Sequence, residues 1–374
     1  FDDNGISIDG VTSLTTSDNQ LERFKACNWN AISIDGHNYD QIYSALKASQ
    51  KSNKPTLIAC KTIIGYGSPN KSGKSVCHGA PLGEEEVKRT KDFLNCKNKS
   101  FFVPNNILNL WRKIGNRNKK IYAKWKARVN NSKYGKDFLR QIKKSVYKRK
   151  PNVNSFLKNI IINATQEATR KSSQNALELL FNNSNNLLGG SADLTGSNLT
   201  KVSHSKTKGK NTNYLYYGVR EHIMAAAMNG ISLHGAFIPY GGTFLIFSDY
   251  CKNSIRLSAL MKQQVIYVFT HDSIGLGEDG PTPQPIEQLA GLRAIPNLRV
   301  LRPCDAIETF ECWEIALMHK NSPTVLALSR QSVPLLRNDY KINKSVKGAY
   351  IIKKSKKPLI KIISTGSEVS LAVN

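Results

Sequence analysis

A histidine followed by a glycine-rich loop is the clearest candidate for chemistry in this sequence of 374 residues. His271 follows the apolar run Val265–Phe269 after one threonine, Thr270, and the loop after it carries Gly275, Gly277 and Asp279. In open α/β folds, ligands bind beyond the carboxyl ends of parallel strands. Glycines let the backbone approach a ligand, and a carboxylate accepts a hydrogen bond from a hydroxyl. The segment therefore predicts a ligand-binding loop, because a purely structural histidine would not need it.

A glutamate belongs to a second candidate segment, Tyr217–His222 (YGVREH). Glu221 stands at the start of an apolar stretch that we predict to be helical, where the helix dipole favours a carboxylate. If the side chain instead points into an apolar pocket, its proton affinity rises and it can share a proton with a cofactor nitrogen. These residues alone leave a structural and an acid–base glutamate both open.

Aromatic residues recur at three-residue steps within Thr243–Tyr250. This spacing predicts that Phe244, Phe247 and Tyr250 lie near one face of a helix. Such a stripe is typical of a protein core. It also suits a wall for a flat heteroaromatic ring, and Phe247 is then the candidate for stacking on that ring.

Two arginines are candidates for binding an anion. Arg170 precedes the predicted helix Ser172–Phe181, and Arg330 lies at the carboxyl end of the predicted strand Thr324–Ser329. Paired guanidinium groups bind phosphate in a bidentate manner, whereas a solvated surface charge is the alternative for each. Ser197 can add a hydroxyl donor.

Two further candidates lie near the amino terminus. In Asp2–Ile8, the side-chain oxygen of Asn4 and the backbone carbonyl of Ile6 form a hard-oxygen set that Mg²⁺ or Ca²⁺ prefers. An Asp-Asn-Gly turn is the alternative for the same residues. His78 follows the glycine-rich stretch Gly65–Pro69, where a histidine can donate to a phosphate or a hydroxyl. A surface histidine without a task fits that position equally well.

Alternating strands and helices must position these residues. Between residues 155 and 336 the lengths and order of the elements indicate a mostly parallel, doubly wound α/β sheet. The predicted strands are Leu187–Gly190, Ala236–Tyr240, Val265–His271, Leu298–Arg302 and Thr324–Ser329, and the predicted helices are Ser172–Phe181, Glu221–Leu233 and Phe244–Met261.

The rest of the chain divides into three predicted parts, residues 1–95, 96–154 and 337–374. The first has an α/β pattern, the second is a basic helical linker that packs on a domain surface, and the third opens another unit. The elements predicted in them are the helix Tyr39–Ser49, the strand Thr56–Ile64, the helical run Asn106–Lys144, and the strand pair Ala349–Lys353 and Leu359–Ser364.

Composition narrows the classes of function. Hydrophobic residues make up 40% of the chain, which is enough to bury real cores, and no apolar run approaches the ~20 residues that span a bilayer. The seven cysteines form no CxxC pair, which fits a reducing cytosol. The net charge of +27 comes from lysine spread along the chain, without a nucleic-acid-binding motif. We therefore expect neither nucleic acid nor membrane as a partner, although the charge can attract phosphorylated substrates.

The order of the motifs resembles that of transketolases of the bacterial and plant type. The motifs are DDNGISIDG, KTIIGYGSPNK, HGAPLG, RKSSQNALE, GGSADLTGSNLT, YGVREH, PYGGTFLIFSDY, THDSIGLGEDGPT, RPCD and LSRQ. Their spacing is also similar, and the resemblance covers essentially the whole chain. It implies a thiamine-diphosphate-binding fold of consecutive domains: the carboxyl-terminal part of a diphosphate-binding domain (1–95), a linker (96–154), a pyrimidine-binding domain (155–336) and the start of a carboxyl-terminal domain (337–374).

The resemblance also implies an activity and a set of site residues. Thiamine diphosphate with Mg²⁺ or Ca²⁺ would serve the transfer of a two-carbon ketol unit between sugar phosphates, in the pentose phosphate pathway. The residues implied to contact the cofactor are Asn4, Ile6, Ile8, Lys61, His78, Asp193, Leu194, Glu221, Phe244, Phe247 and Tyr250, with the metal on Asn4 and the Ile6 carbonyl. The residues implied to contact the substrate are His78, Arg170, Ser197, His271, Asp279 and Arg330. Glu221, His271 and His78 are implied to be catalytic, with Glu221 paired to the aminopyrimidine nitrogen.

The same resemblance implies a cytoplasmic homodimer, with each active site at the subunit interface. Two positions depart from the family pattern, since Pro283 stands where histidine is usual and Gly196 stands where proline is usual. The first half of the diphosphate-binding domain, with its Gly-Asp-Gly metal ligand, has no counterpart in this sequence. We therefore expect residues 1–374 alone to be catalytically inert.

Other functions remain open at the level of sequence. A deoxyxylulose-phosphate synthase or a dihydroxyacetone synthase would also use thiamine diphosphate, but the paired arginines and the HGAPLG segment weigh against both. A basic nucleic-acid-binding protein without catalysis would predict salt-sensitive RNA binding.

Overall fold

Two compact units, Phe1–Asn118 and Lys119–Asn374, make up the chain. The structure, a computed structural model, describes residues 1–142, 147–183, 186–209 and 212–374. The division between the units falls inside the predicted linker 96–154, and the predicted domain boundaries stay predictions. Within the described residues, no helix has both the length and the apolar character required to cross a membrane.

The first unit contains a three-stranded parallel sheet in the order β1-β5-β4. Asparagine side chains begin two of its helices: Asn19 accepts from the amides of residues 21 and 22, and Asn38 from those of residues 40 and 41. The strands are β1 (Asp2–Asp3), β2 (Ile6–Ser7), β3 (Gly10–Val11), β4 (Asn30–Asp35) and β5 (Thr56–Lys61). The helices are α1 (Gln20–Ala26), α2 (Tyr39–Ser49), α3 (Glu84–Phe93) and α4 (Asn105–Asn116), with 3-10 turns at Thr12–Leu14 and Ser75–Cys77.

The second unit is built on a six-stranded sheet whose pairings are all parallel. Its strands are β7 (Leu187–Ser191), β8 (Tyr214–Tyr216), β9 (Ile238–Phe244), β10 (Ile266–Thr270), β11 (Arg299–Leu301) and β12 (Thr324–Leu328), and β6 (Glu167–Ala168) pairs with β13 (Ser332–Val333) apart from it. The order β11-β12-β10-β9-β7-β8 places β10 in the interior of the sheet. The predicted doubly wound α/β fold is confirmed.

Helices cover both faces of this sheet. The helices of the unit are α5 (Lys119–Asn131), α6 (Lys133–Ile142), α7 (Pro151–Ile162), α8 (Thr169–Asn183), α9 (Thr195–Asn198), α10 (Glu221–His234), α11 (Ser248–Leu260), α12 (Gln288–Arg293), α13 (Ala306–Met318) and α14 (Val369–Val373), with 3-10 turns at Ile274–Leu276, Ser345–Lys347 and Gly366–Glu368. The predicted helical run Asn106–Lys144 corresponds to α4, α5 and α6, and its residues 143 and 144 lie outside the described residues.

Successive residues of β10 point into two different apolar clusters. Ile266 and Val268 pack with α7, α8 and α13, whereas Tyr267 and Phe269 pack with α10 and α11. Side chains of a strand alternate between its faces, so a strand covered on both sides is apolar at every position. Burial of each such side chain contributes about 1.5–3 kcal/mol, which fixes the strand end that carries His271.

Two sequence predictions are wrong at the level of elements. Residues 349–353 and 359–364 form no strand, and the apolar side chains Leu359 and Ile363 of the second segment are 99% and 94% exposed. Phe244 ends β9 instead of beginning a helix, since α11 starts only at Ser248. The short strand β8, which the sequence analysis missed, occupies one edge of the sheet.

Candidate active site

The carboxyl end of β10 delivers a buried histidine into the candidate site. His271 follows β10 with a left-handed backbone (φ 60°), and its side chain is 3% exposed. Its Nδ1 lies 2.8 Å from Oγ1 of Thr270, and its ring stacks on Phe244 with centroids 3.7 Å apart. Burial, then the positive charges of Arg170 and Arg330, lower the pKa of His271 to about 4 against the opposing effect of Asp279. His271 is therefore neutral near pH 7.

An acidic side chain faces this histidine across a gap. Oδ2 of Asp279 lies 4.0 Å from Nε2 of His271, which is beyond hydrogen-bonding distance. A ligand hydroxyl that enters the gap can donate to either atom. His271 and Asp279, which the sequence predicted to lie on one binding loop, are thus brought together.

Arg170 and Arg330 also converge on this place. The Arg170 guanidinium donates to the carbonyl of Ser197 at 2.7 Å, and that of Arg330 donates to the carbonyl of Leu276 at 2.5 Å. Burial and the charge of Arg330 lower the pKa of Arg170. Two cations that repel each other in a half-buried site are stabilised by an anion, so the pair suits a phosphate.

An aromatic ledge extends from His271 towards the surface. Phe244 stacks on Phe247 with ring centroids 5.5 Å apart, and Phe247 stacks on Tyr250 at 5.8 Å. Phe244 and Phe247 are half-buried and Tyr250 is 66% exposed. The ledge therefore presents ring faces that a flat heteroaromatic group can cover, as expected for Phe247.

Glu221 is the first residue of α10 and is half-buried. Its negative charge acts on Cys251 of α11: burial, then Glu221 and Asp249, raise the pKa of that thiol to about 12. Cys251 and Asp249 lie in the first turn of α11, directly after Phe247, so the Glu221 carboxylate lies near the amino-terminal end of that helix. This position suits an acid–base role, and its place in the first turn of α10 also lets the carboxylate interact favourably with the helix dipole.

The loop after β7 contributes the remaining predicted residues of this unit. Asp193 is exposed and has a left-handed backbone (φ 62°), and Leu194 after it is half-buried. Gly190 in β7 leaves room for the ring of Tyr217, because an added Cβ would lie 2.3 Å from that ring. The YGVREH segment thus packs against the end of β7.

The predicted metal ligands lie in the first unit, in a turn after β1. The Asn4 side-chain oxygen accepts from the amide of Ile6 at 3.0 Å, and Gly5 has a φ of 68°. The Asp-Asn-Gly turn is therefore present, and the Asn4 oxygen keeps a second lone pair for a cation. The described residues contain no cluster of three or more His, Cys, Asp or Glu side chains that could hold a metal ion. A metal here would need oxygens from other groups.

Lys61 ends β5, in register with Asp3 of β1, so it lies at the same sheet edge as the turn at Asn4. Ile8 is 75% exposed, and His78 is exposed after the 3-10 turn Ser75–Cys77. The structure does not bring His78 into a buried site within this unit.

Two residues of the first unit were missed by sequence reasoning. Nε2 of His37 accepts from the amide of Ile63 at 3.0 Å, and its ring stacks on Tyr66 at 4.2 Å. Glu86 accepts from the Ser68 hydroxyl and from the Asn70 amide at 2.8 Å, so it anchors the glycine-rich loop that leads to His78. No spacing signal links Glu86 to this loop, because the contacts are tertiary.

Comparison with known proteins identifies the class to which this protein belongs. Residues 1–151 match the family model for the transketolase thiamine diphosphate binding domain, and residues 165–335 match the model for the transketolase pyrimidine binding domain. The protein is thus an α/β protein with thiamine-diphosphate-binding domains. Along its whole length it is 49% identical to a transketolase of Sinorhizobium medicae and 47% identical to one of Buchnera aphidicola subsp. Baizongia pistaciae. The chain belongs to the transketolase family.

Solved structures agree with this assignment. The chain superposes over its full length on a Campylobacter jejuni transketolase with a TM-score of 0.88 and 37% identity. A transketolase of Pichia stipitis in complex with sedoheptulose 7-phosphate gives the same TM-score and identity. The chain covers 54% and 58% of the two curated relatives and 57% of each solved chain, so it spans a little over half of their length.

Proposed function

We propose that the protein is a transketolase that transfers a two-carbon ketol unit from a ketose phosphate to an aldose phosphate. The observation that carries the proposal is the convergence of Arg170, Arg330, Asp279 and neutral His271 beyond the end of β10. Such a site combines a cationic end for phosphate with acceptors for hydroxyls. The match to both transketolase domain models supports the same reaction.

The substrate-binding roles follow from the chemistry of these groups. Arg170 and Arg330 bind the phosphate, with Ser197 beside them, through charge-assisted hydrogen bonds. Nε2 of His271 accepts a proton from a substrate hydroxyl and returns it, because a neutral imidazole serves as both acceptor and, once protonated, donor. Asp279 accepts a hydrogen bond from a neighbouring hydroxyl, which orients the sugar. We propose the same kind of contact for His78.

Thiamine diphosphate fits the residues of the second unit. The half-exposed ledge offers the face of Phe247 to an aromatic ring, flanked by Phe244 and Tyr250. Glu221 would hold a proton at the aminopyrimidine nitrogen, while Asp193 and Leu194 would border the cofactor. When bound, the cofactor supplies the stabilisation of carbanions that this reaction requires.

The first unit would hold the diphosphate end of the cofactor. We propose that Asn4 and the Ile6 carbonyl ligate Mg²⁺ or Ca²⁺, which prefer oxygen ligands. Lys61 and His78 would donate to the diphosphate, and Ile8 would lie near the thiazolium ring. We further propose that the protein forms a homodimer with each active site at the subunit interface. We also propose that its reaction belongs to the pentose phosphate pathway. All seven cysteines are free thiols, which supports a cytoplasmic location.

Calorimetry and product analysis of the full-length protein test the proposal. We expect thiamine diphosphate with Mg²⁺ to bind, and xylulose 5-phosphate with ribose 5-phosphate to yield a seven-carbon and a three-carbon sugar phosphate. The Glu221→Ala variant should bind the cofactor but lose turnover, whereas Glu85→Ala, at an exposed site on α3, should retain it. Products formed only from pyruvate or from formaldehyde would indicate another thiamine-diphosphate enzyme. Salt-sensitive RNA binding without cofactor binding would contradict an enzyme altogether.

A further inference from the structure

A line of buried hydrogen bonds leads to His271 from the backbone of a neighbouring strand. The Ser191 hydroxyl donates to the carbonyl of Gly242 at 3.0 Å, and Nδ2 of Asn198 donates to Ser191 Oγ at 2.9 Å. The Thr270 hydroxyl donates to Oδ1 of Asn198 at 2.7 Å and lies 2.8 Å from Nδ1 of His271. These polar side chains are almost completely buried, so water does not compete with the line.

The direction of every bond follows from its first member. A carbonyl only accepts, so Ser191 must use its single proton on Gly242 and must accept from Asn198. Asn198 therefore presents its NH₂ to Ser191 and its oxygen to Thr270. The donors and acceptors on either side thus set the orientation of this amide.

The last two bonds pass this direction to the histidine. The Thr270 hydroxyl donates its only proton to the Asn198 oxygen, so towards His271 it can act only as a hydrogen-bond acceptor. We propose that Ser191, Asn198 and Thr270 are positioning residues that hold His271 as the tautomer with hydrogen on Nδ1 and a bare Nε2. The bare nitrogen is the atom that faces Asp279 across the 4.0 Å gap.

This assignment explains why the gap needs a ligand that donates. Nε2 and the Asp279 carboxylate both accept, so neither satisfies the other, and a hydroxyl between them can donate to one of them. The charged groups that act on His271 are Arg170 from α8, Asp279 from the loop and Arg330 after β12. The two cations disfavour protonation of the ring, which keeps Nε2 an acceptor. The inference rests on the proposed function and deepens it, since it explains why Nε2 of His271 is the atom that acts in acid–base catalysis.

The strands are built to admit this line. Ser191 of β7 is in register with Gly242 of β9, which lies beside β10 in the sheet. A Cβ on Gly242 would lie 3.1 Å from Nδ2 of Asn198 and 2.7 Å from Cγ2 of Thr200, so only glycine leaves space for the asparagine. The line thus joins three adjacent strands and ends at Nδ1 of His271, which leaves Nε2, the catalytic nitrogen, free to face Asp279.

Neutron diffraction from crystals of the perdeuterated full-length protein reads the tautomer directly. We expect a deuteron on Nδ1 of His271 and none on Nε2, with the Asn198 ND₂ group directed to Ser191. A deuteron on Nε2 in the absence of substrate would overturn the assignment. This readout needs neither a variant nor turnover, so its failure is distinct from failure of the proposed reaction.

A threonine series tests the consequence for the reaction. In Thr270→Val, we expect kcat to fall about 10- to 100-fold, the size of effect seen when the hydrogen-bond partner that orients a metal-bound histidine is removed, with KM changed less than threefold. The acid limb of the kcat profile should also shift. Thr270→Ser should restore both, because it keeps the hydroxyl. The control Thr309→Val removes a buried hydroxyl of α13 that donates to the carbonyl of Asp305 and is not part of the line. A Thr270→Val enzyme with normal kcat and an unchanged pH profile would overturn the proposal.

Discussion

Thr169 and Ser329 hold each other through a reciprocal pair of hydrogen bonds, although 160 residues separate them in sequence. The amide of Thr169 donates to the Ser329 hydroxyl at 3.0 Å, and the amide of Ser329 donates to the Thr169 hydroxyl at 2.7 Å. Each of the two residues is followed directly in sequence by one of the paired arginines, Arg170 and Arg330. The two guanidinium groups therefore start from backbones that are fixed to each other.

This link predicts a loss of both stability and phosphate binding in Thr169→Val. A buried hydrogen-bond donor and acceptor would lose partners, at a cost of about 1–3 kcal/mol in the free energy of unfolding. Denaturant unfolding measures that cost, and the KM for a phosphorylated acceptor should rise in parallel. Thr309→Val is again the matched control, and an equal rise in KM there would remove the special role of the link.

The arginine pair itself predicts selectivity for phosphate. Arg330→Ala should raise the KM for ribose 5-phosphate about 10- to 100-fold, since charge-assisted hydrogen bonds contribute about 1.5–3 kcal/mol. The KM for unphosphorylated ribose should hardly change. Steady-state kinetics with both acceptors measures the difference. Arg256→Ala, on the exposed side of α11, serves as control, and a loss of equal size for both acceptors would contradict the assignment.

The low pKa of His271 predicts a pH dependence of stability. The folded-state pKa of about 4 lies below the ordinary value of 6.5, so unfolding takes up a proton between these values. The stabilisation is complete above pH 6.5, declines as the pH falls towards 4, and amounts to at most about 3 kcal/mol. His271→Asn should abolish this part of the profile in denaturant unfolding, whereas the exposed His204→Asn should keep it. Identical profiles for the wild type and His271→Asn would refute the prediction.

The aromatic ledge predicts a specific loss of cofactor affinity. Phe247→Ala should weaken thiamine diphosphate binding about tenfold, because aromatic stacking contributes about 0.5–1.5 kcal/mol beyond area burial. Calorimetry at fixed Mg²⁺ measures the affinity. Phe247→Tyr keeps a ring face and should bind normally. If the alanine and tyrosine variants bind equally well, Phe247 is not the stacking residue.

Glu86 predicts acid sensitivity in the glycine-rich loop. Hydrogen bonds from Ser68 and Asn70 lower the pKa of this carboxyl from 4.5 to about 2. Its contribution to loop stability is therefore present above pH 4.5 and is lost as the pH falls towards 2. Pepsin cleavage within residues 65–82 should accelerate over that range in the wild type and be fast throughout in Glu86→Gln. The exposed neighbour Glu85→Gln corrects for the pH dependence of the protease, and cleavage of all three proteins at one rate would exclude the anchor.

Local sequence patterns were sufficient to predict many of the strands and helices of the second unit. The strand predicted at Thr324–Ser329 is observed at Thr324–Leu328. The helix predicted at Glu221–Leu233 is observed at Glu221–His234, one residue longer. Apolar runs and helical periodicity specify such elements without tertiary information. The convergence of His271 and Asp279 was also predictable, because one short loop carries both.

Relations between distant segments were not predictable in this way. The pairing of Thr169 with Ser329 and the anchoring of a loop by Glu86 depend on contacts that no spacing rule encodes. The strand pair expected at 349–364 failed for the opposite reason. Its apolar residues have β-type composition, but Leu359, Ile360 and Ile363 are largely exposed, and composition alone does not order a strand.

The left-handed backbone at His271 creates a conflict between stability and activity, because the residue types that best tolerate this conformation lack the catalytic imidazole. An L-residue with a side chain pays roughly 1–2 kcal/mol for this conformation, whereas glycine adopts it without that cost. Mutants chosen only for heat resistance should therefore accumulate glycine or asparagine at this codon and lose turnover. Histidine thus occupies a position where backbone energy alone would favour glycine.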